Sequence, residues 1–257
     1  MEILIISLTA FGAAILTFFS GFGLGTILTP VFMIFFPVEL AIALTGVVHL
    51  MNNLFKMVLV GKKADKQVLF RFGIPAVLGA LAGSWLLLHI PDARPIFEYE
   101  IGGRSFVVYP VKFMISLLLI YFALMDLIPY FDKFRFGKEK LAIGGILSGF
   151  FGGLSGNQGA LRSAFLIKSG LSKEAFIGTA VVVSSFVDLT RLSIYATGFN
   201  TSGLSENIFL VIFATLAAIS GAFLGNLLLK KITLDTLKVT VAVMLILLSL
   251  ALGSGLI

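Results

Sequence analysis

Ionisable and amide side chains stand inside apolar stretches of this chain, at spacings that could do chemistry. Thr45, His49, Asn52, Asn53 and Lys56 follow i, i+4, i+7, i+8, i+11 spacing, which puts them on one face of a helix. Ser184, Asp188, Arg191 and Tyr195 repeat the pattern at i, i+4, i+7, i+11. Polar faces of this kind are costly in hydrocarbon, so they should line a central site. His49 could bind a substrate or take a proton, or simply bridge two helices. Asp188 and Arg191 are three residues apart and could neutralise each other. Alternatively they divide the work, Arg191 serving an anion and Asp188 carrying a proton. Lys56 lies close enough to the end of its run for its ammonium to reach the interface.

A second group of residues sits at two glycine-rich breaks. Ser20-Gly21-Phe22-Gly23-Leu24-Gly25 interrupts one apolar segment, and Gly152-Gly153-Leu154-Ser155-Gly156-Asn157-Gln158-Gly159 interrupts another. Non-helical backbone at membrane depth is tolerated only where protein packs round it or a polar cavity lies beside it. Paired breaks in corresponding positions of two halves point to a transporter's binding site. A helix starting after Gly25 or after Gly159 presents unpaired N–H groups and a positive dipole end. Anions bind readily at such an end, and Gly23, Gly25 and Gly159 let a ligand approach the backbone. Asn157 and Gln158 add amide donors, and Arg162 adds a cation three residues past Gly159. Arg162 either binds the anion or clasps carbonyls of the opposite hairpin.

The elements that must position these residues are membrane helices. The chain of 257 residues is 58% hydrophobic and 12% charged, where soluble domains have about 25% charged residues. Runs near the roughly 20 residues that a span needs cover Val38–Val60, Val68–Ile90, Val111–Ile128, Ala175–Thr197, Ile208–Leu229 and Thr236–Ile257. Shorter runs fill Ile3–Phe19, Thr26–Phe36, Leu141–Phe151 and Ala160–Ile167. The first of these is read as retained in the chain and not as a signal peptide, because Glu2 replaces a basic start. The short arms after the breaks, at 1.5 Å per residue, reach only about 18 Å, so they end near the midplane. With no cysteine, thiolate metal sites, iron–sulfur clusters and disulfides are excluded. No cofactor motif or catalytic set appears, so an enzyme is not expected.

Net charge is +6, yet its distribution argues for topology and against nucleic acid. Lys62, Lys63, Lys66 and Arg71, then Lys133, Arg135, Lys138 and Lys140, then Lys168 and Lys173, then Lys230, Lys231 and Lys238 fall in or beside short loops. Placing these in the cytoplasm follows the positive-inside bias and leaves Arg94, Arg104 and Lys112 outside, with both termini extracytoplasmic. The segment Pro91–Tyr109 is then an outer loop. Trp85 and His89 fall at the outer interface, and Asp126 faces headgroups. The expected fold is an all-α polytopic membrane protein of two inverted repeats, residues 1–130 and 141–257, joined by a cytoplasmic connector at 131–140. Each repeat has five helical elements, and the two broken hairpins meet at the midplane. Pro37–Val48 aligns without gaps on Leu171–Val182, and Gly79-Ala80-Leu81-Ala82-Gly83 matches Gly221-Ala222-Phe223-Leu224-Gly225. With one residue of slip, His49 pairs with Ser184 and Lys56 with Arg191.

Gly21-Phe22-Gly23-Leu24-Gly25-Thr26-Ile27-Leu28-Thr29-Pro30, and its second copy from Ser148 through Gly152 to Gly159, resemble the TauE/SafE family of sulfite and organosulfur-anion exporters. The resemblance covers nearly the whole chain. It departs from the family pattern at Ala164, where the second proline would align, at Asn157-Gln158, and at Arg162, where an apolar residue is usual. The resemblance implies a secondary transporter in the bacterial inner membrane, exporting sulfite, a sulfonate or another organosulfur anion by alternating access. An anion channel, or an importer of the same anions, is the alternative. The substrate-binding set expected is Gly23, Gly25, His49, Asn52, Asn157, Gln158, Gly159, Arg162 and Arg191, with His49 and Asp188 coupling protons. The partners expected are a small anion and the lipid bilayer, without nucleic acid; a homodimer is left open, and no cofactor or metal is expected.

Overall fold

The computed structural model describes residues 1–20, 23–89, 94–128, 137–166, 169–198, 202–228 and 234–256. Lys133, Arg135, Lys168, Lys230 and Lys231, most of the connector expected at 131–140, and the side chains of Asp126 and Lys238 lie outside the described residues. The chain is helical almost throughout. Helices α1 (Glu2–Ser20), α2 (Leu24–Met33) and α3 (Val38–Val60) come first. The short α4 (Lys66–Val68) continues through a π-helical turn at Leu69–Gly73 into α5 (Ile74–His89). After a small hairpin come α6 (Pro110–Leu127), α7 (Leu141–Ser155) and α8 (Gly159–Leu166). The last elements are α9 (Lys173–Gly198), α10 (Ser202–Glu206), α11 (Ile208–Leu228) and α12 (Leu234–Gly253).

Val38–Lys63, Lys66–His89, Lys173–Gly198 and Ile208–Leu227 are long and apolar enough to cross a membrane. This is an all-α polytopic membrane fold. Its outer surface is apolar, with Phe70, Trp85, Phe186, Phe209, Phe213 and Leu227 all more than half exposed, as lipid contact demands. The arms after the breaks are short, α2 having 10 residues and α8 having 8, which gives about 15 Å and 12 Å of helix.

Local chemistry sets the element boundaries. Pro37 precedes α3, and Pro110 opens α6, where the missing N–H costs nothing. Asp65 caps α4 by accepting from the Val68 N–H at 2.8 Å, and its own N–H donates to Thr179 Oγ1 at 2.9 Å. That second bond ties the turn after α3 to α9. Gly156 ends α7 in the left-handed region at φ 77°, with its N–H donating to the Gly152 carbonyl at 3.0 Å; a side chain there is strained.

The outer loop expected over Pro91–Tyr109 is not simply a loop. Residues β1 (Phe97–Ile101) and β2 (Arg104–Val108) pair antiparallel, from Phe97 opposite Val108 to Ile101 opposite Arg104, and Gly102-Gly103 makes the turn. Tyr99 and Phe106, directly opposite, stack with ring centroids 5.2 Å apart. A Gly-Gly pair between two five-residue β-prone runs is a hairpin signal, and hydropathy alone passes over it.

Close helix packing depends on small residues. Helix α5 packs on α7, α1 on α11, α6 on α12 and α3 on α9. At the first contact, a Cβ on Gly79 or Gly83 would fall well inside van der Waals distance of the Ile146 or Phe150 carbonyl. A Cβ on Gly149 would do the same to Ala76. At the second, Gly221 lies just as tightly on the Phe11 carbonyl. Backbones approach this closely only where side chains are minimal.

Candidate functional site

The polar stripes of α3 and α9 face each other. Nδ1 of His49 is 2.6 Å from Asp188 Oδ2, and Nδ2 of Asn53 donates to the same oxygen at 3.1 Å. Asp188 Oδ1 accepts from Arg191 Nε at 3.0 Å and lies 3.0 Å from Arg191 Nη2. Every member is buried, Asp188 and Arg191 completely. A carboxylate at this distance holds the His49 proton on Nδ1, leaving Nε2 as the nitrogen that can gain or lose one. His49 therefore meets Asp188, one turn along α9 from Ser184.

Both breaks come to this cluster. Gly23 caps α2 at φ 89° and ψ 141°, a backbone shape that favours glycine. A Cβ there would lie 3.1 Å from His49 Nε2 and 4.0 Å from Arg162 Nη2. A Cβ on Gly25 would lie 3.1 Å from the carbonyl oxygen of Gly156, in the other break. At Gly156 it would meet Arg191 Nη1 at 3.0 Å and Thr29 Oγ1 at 3.2 Å. The start of α2, the end of α7 and two guanidinium groups thus share one small volume. Tyr195 hydroxyl donates to the Gly153 carbonyl, pinning α9 to the last turn before the second break.

The second tip carries buried amides. Asn157 and Gln158 are 2% and 3% exposed. Neither amide atom of Asn157 has a hydrogen-bond partner among the described residues, and neither does Gln158 Oε1. The Gln158 carbonyl accepts from Ser148 Oγ at 3.1 Å and from the Arg162 N–H at 3.0 Å, which anchors the first turn of α8. Gly159 is the first residue of that helix. Nη1 of Arg162 donates to Ser184 Oγ, fixing the guanidinium against α9. A cavity beside it is lined on its polar side by Thr17, Gly23, Asn53, Lys56, Arg162 and Ser184.

Two residues sit differently from expectation. Lys56 is 4% exposed, so it does not snorkel out; its ammonium lies 5.2 Å from the centre of the Phe18 ring. Asn52, expected beside His49 as a substrate ligand, turns toward α11. With its amide oriented to satisfy both atoms, it donates to the Ala218 carbonyl at 3.2 Å and accepts from Lys56 Nζ at 3.3 Å. Neighbouring helix residues point about 100° apart, and Asn53 takes the position against His49. Gly23, Gly25, His49, Asn157, Arg162, Asp188 and Arg191 all come to the two breaks and the cluster beside them. Thr29 and Gly156 join them without having been singled out; their place depends on how the two hooks cross, which one sequence does not state.

Among the described residues no three His, Asp or Glu side chains gather as a metal site. The arrangement instead offers amide donors, two guanidinium groups, an ammonium and one imidazole–carboxylate pair. That set suits an anion, and a proton beside it. The family model described as sulfite exporter TauE/SafE matches residues 6–252. The chain belongs to the TauE/SafE sulfite exporter family. A TauE/SafE member is a multi-pass membrane transporter, in keeping with the helices here. Neither the curated proteins nor the solved structures compared with the chain include a match.

Proposed function

We propose that this protein moves a small sulfur-containing anion, sulfite, a sulfonate or a related compound, outward across the bacterial inner membrane by alternating access. One observation carries this reading. The two glycine breaks touch at Gly25 and Gly156, with Arg162, Arg191 and His49 against them, inside an otherwise apolar helical protein. In this account the half-helix ends at Gly23 and Gly159, the amides of Asn157 and Gln158, and the two arginines hold the anion. Asn52 acts through Lys56, by the hydrogen bond it accepts. His49 and Asp188 exchange the coupled proton, Nε2 of His49 facing the tip of the first hook.

The packing supports two inverted repeats. Helices α3 and α9 meet, as do α6 and α12, while α1 packs on α11 and α5 on α7. A two-fold axis relating residues 1–130 to 141–257 would bring equivalent elements together in the first two contacts and exchange partners in the other two. Rocking one repeat against the other about the touching breaks would open the site to each face in turn. The positive-inside bias of the basic loops supports an orientation with both termini outside.

Proteoliposomes loaded with sulfite or thiosulfate test the reading. Wild-type protein should give saturable efflux, and Arg162→Ala should abolish it while the protein stays folded. Undiminished flux in the variant would remove Arg162 from the mechanism, and flux that never saturates would point to a channel.

A further inference from the structure

We infer that the groove between α4–α5 and α9 holds an acyl chain of an anionic phospholipid, whose headgroup pairs with Lys66. The groove lies apart from the anion cluster, and the inference does not rest on the transport reading. Its volume is about 410 Å³, within the roughly 300–1,000 Å³ of small-molecule sites. One wall is a stripe of residues four apart, Lys66, Phe70, Ile74 and Leu78, and the other is Val182, Val183 and Phe186 of α9. Residues four apart drift round a regular α-helix of 3.6 residues per turn. The wider π-helical turn at Leu69–Gly73 offsets that drift and keeps the stripe on the α9 side. Gly73 lies at the contact itself, where a Cβ would be 3.5 Å from Val183 Cγ2.

Length and charge choose the occupant. From Lys66 to Leu78 the stripe runs about 18 Å at 1.5 Å per residue, close to the ~15 Å depth of one leaflet in a hydrocarbon core of roughly 30 Å. Phe70, Ile74, Leu78 and Phe186 are all more than half exposed, so the groove opens to lipid along its length. Lys66 is exposed too, and among the described residues it is the one charged side chain lining the groove. Within residues 61–71, Lys62, Lys63, Lys66 and Arg71 stand against Asp65 alone, and the Asp65 carboxylate is engaged by the Val68 N–H. A basic cluster at headgroup level above a leaflet-deep apolar groove matches an anionic phospholipid, whereas a zwitterionic one has no net charge to meet it. The same stretch of α9 carries Ser184 and Asp188, so a chain seated there bears on the helix that holds the buried cluster.

The test is fluorescence quenching of the full-length protein in phosphatidylcholine vesicles that carry brominated phosphatidylglycerol or brominated phosphatidylcholine at equal mole fraction. Phe70→Trp and Leu78→Trp, each in a Trp85→Phe background, report the two ends of the groove. Both should show the brominated phosphatidylglycerol associating about fivefold more strongly, the scale of one basic side chain at a membrane surface. Trp85, the single tryptophan of the wild-type chain, lies about 28 Å beyond Lys66 along the same helix and so reports the opposite leaflet. There the two lipids should quench equally. Lys66→Gln should bring the two lipids level at both groove reporters, and Lys66→Arg, which keeps the charge, should retain the preference. Equal quenching at position 70 in the protein with Lys66 intact would overturn the inference. A preference at 70 that is missing at 78 would overturn it too, showing a headgroup drawn to the basic loop without a chain in the groove. So would a preference that survives Lys66→Gln, or one of the same size at Trp85.

Discussion

Replacing Asp188 by Asn keeps the shape of the side chain and removes the negative charge that lies against His49 and Arg191. The carboxylate lies 2.6 Å from His49 Nδ1, 3.1 Å from Asn53 Nδ2, and 3.0 Å from both Nε and Nη2 of Arg191. An amide offers one oxygen in place of two, so it cannot accept from His49, Asn53 and Arg191 Nε together. Arg191 is fully buried and cannot turn to water. Removing one partner of a buried pair costs about 3–5 kcal/mol, a large share of the 5–15 kcal/mol that separates folded from unfolded proteins. Thermal unfolding of the detergent-solubilised protein reads this as a marked fall in midpoint, and the cycle with Arg191→Gln apportions it. The double variant should be less damaged than the sum of the single ones, with a coupling of about 1–3 kcal/mol. A midpoint unchanged by Asp188→Asn, or additive single effects, would refute the argument that this carboxylate neutralises Arg191.

Three further outcomes follow from the same geometry. Gly149→Ala should destabilise by at least about 1–3 kcal/mol through overpacking, because its Cβ collides with the Ala76 carbonyl. Gly12→Ala, with nothing within 4 Å, should be neutral or better; equal midpoints for the two would refute the close contact of α5 and α7. His49→Gln should leave anion binding measurable in equilibrium titrations yet make flux insensitive to an imposed proton gradient; retained sensitivity would move coupling elsewhere. The chain has no cysteine, so single cysteines can report topology without background. One at Lys63 should react with impermeant reagents from the cytoplasmic side only, one at Gly103 from the outer side only, and the opposite labelling would invert the proposed orientation.

Much of this fold is written locally. The run Val38–Val60 coincides with α3, and most other spans end within two or three residues of their apolar runs, because length and hydropathy are what a bilayer selects. The short arms were legible for the same reason, since a glycine break leaves too few residues to cross. The polar stripes were legible by period alone: His49, Asn53, Lys56, Asp188 and Arg191 are all buried. What period cannot supply is rotation and slip between helices. It could not say that His49 would meet Asp188, and it could not separate Asn52 from Asn53, both on the broad polar face. The roles of Thr29 and Gly156 depend on two hooks, far apart in sequence, touching each other. The hairpin at 97–108 was legible in its Gly-Gly turn and was obscured by reading hydropathy first.

The central claim is that two oppositely inserted breaks meet to hold an anion. Selenate is a dianion whose selenium can be located by anomalous diffraction, so crystals of the full chain soaked in it test the claim most directly. The account predicts one strong peak in the cavity where the two breaks meet, within hydrogen-bond reach of the Arg162 and Arg191 guanidinium groups. A selenium bound only at the surface, with that cavity occupied by water at saturating selenate, would contradict it.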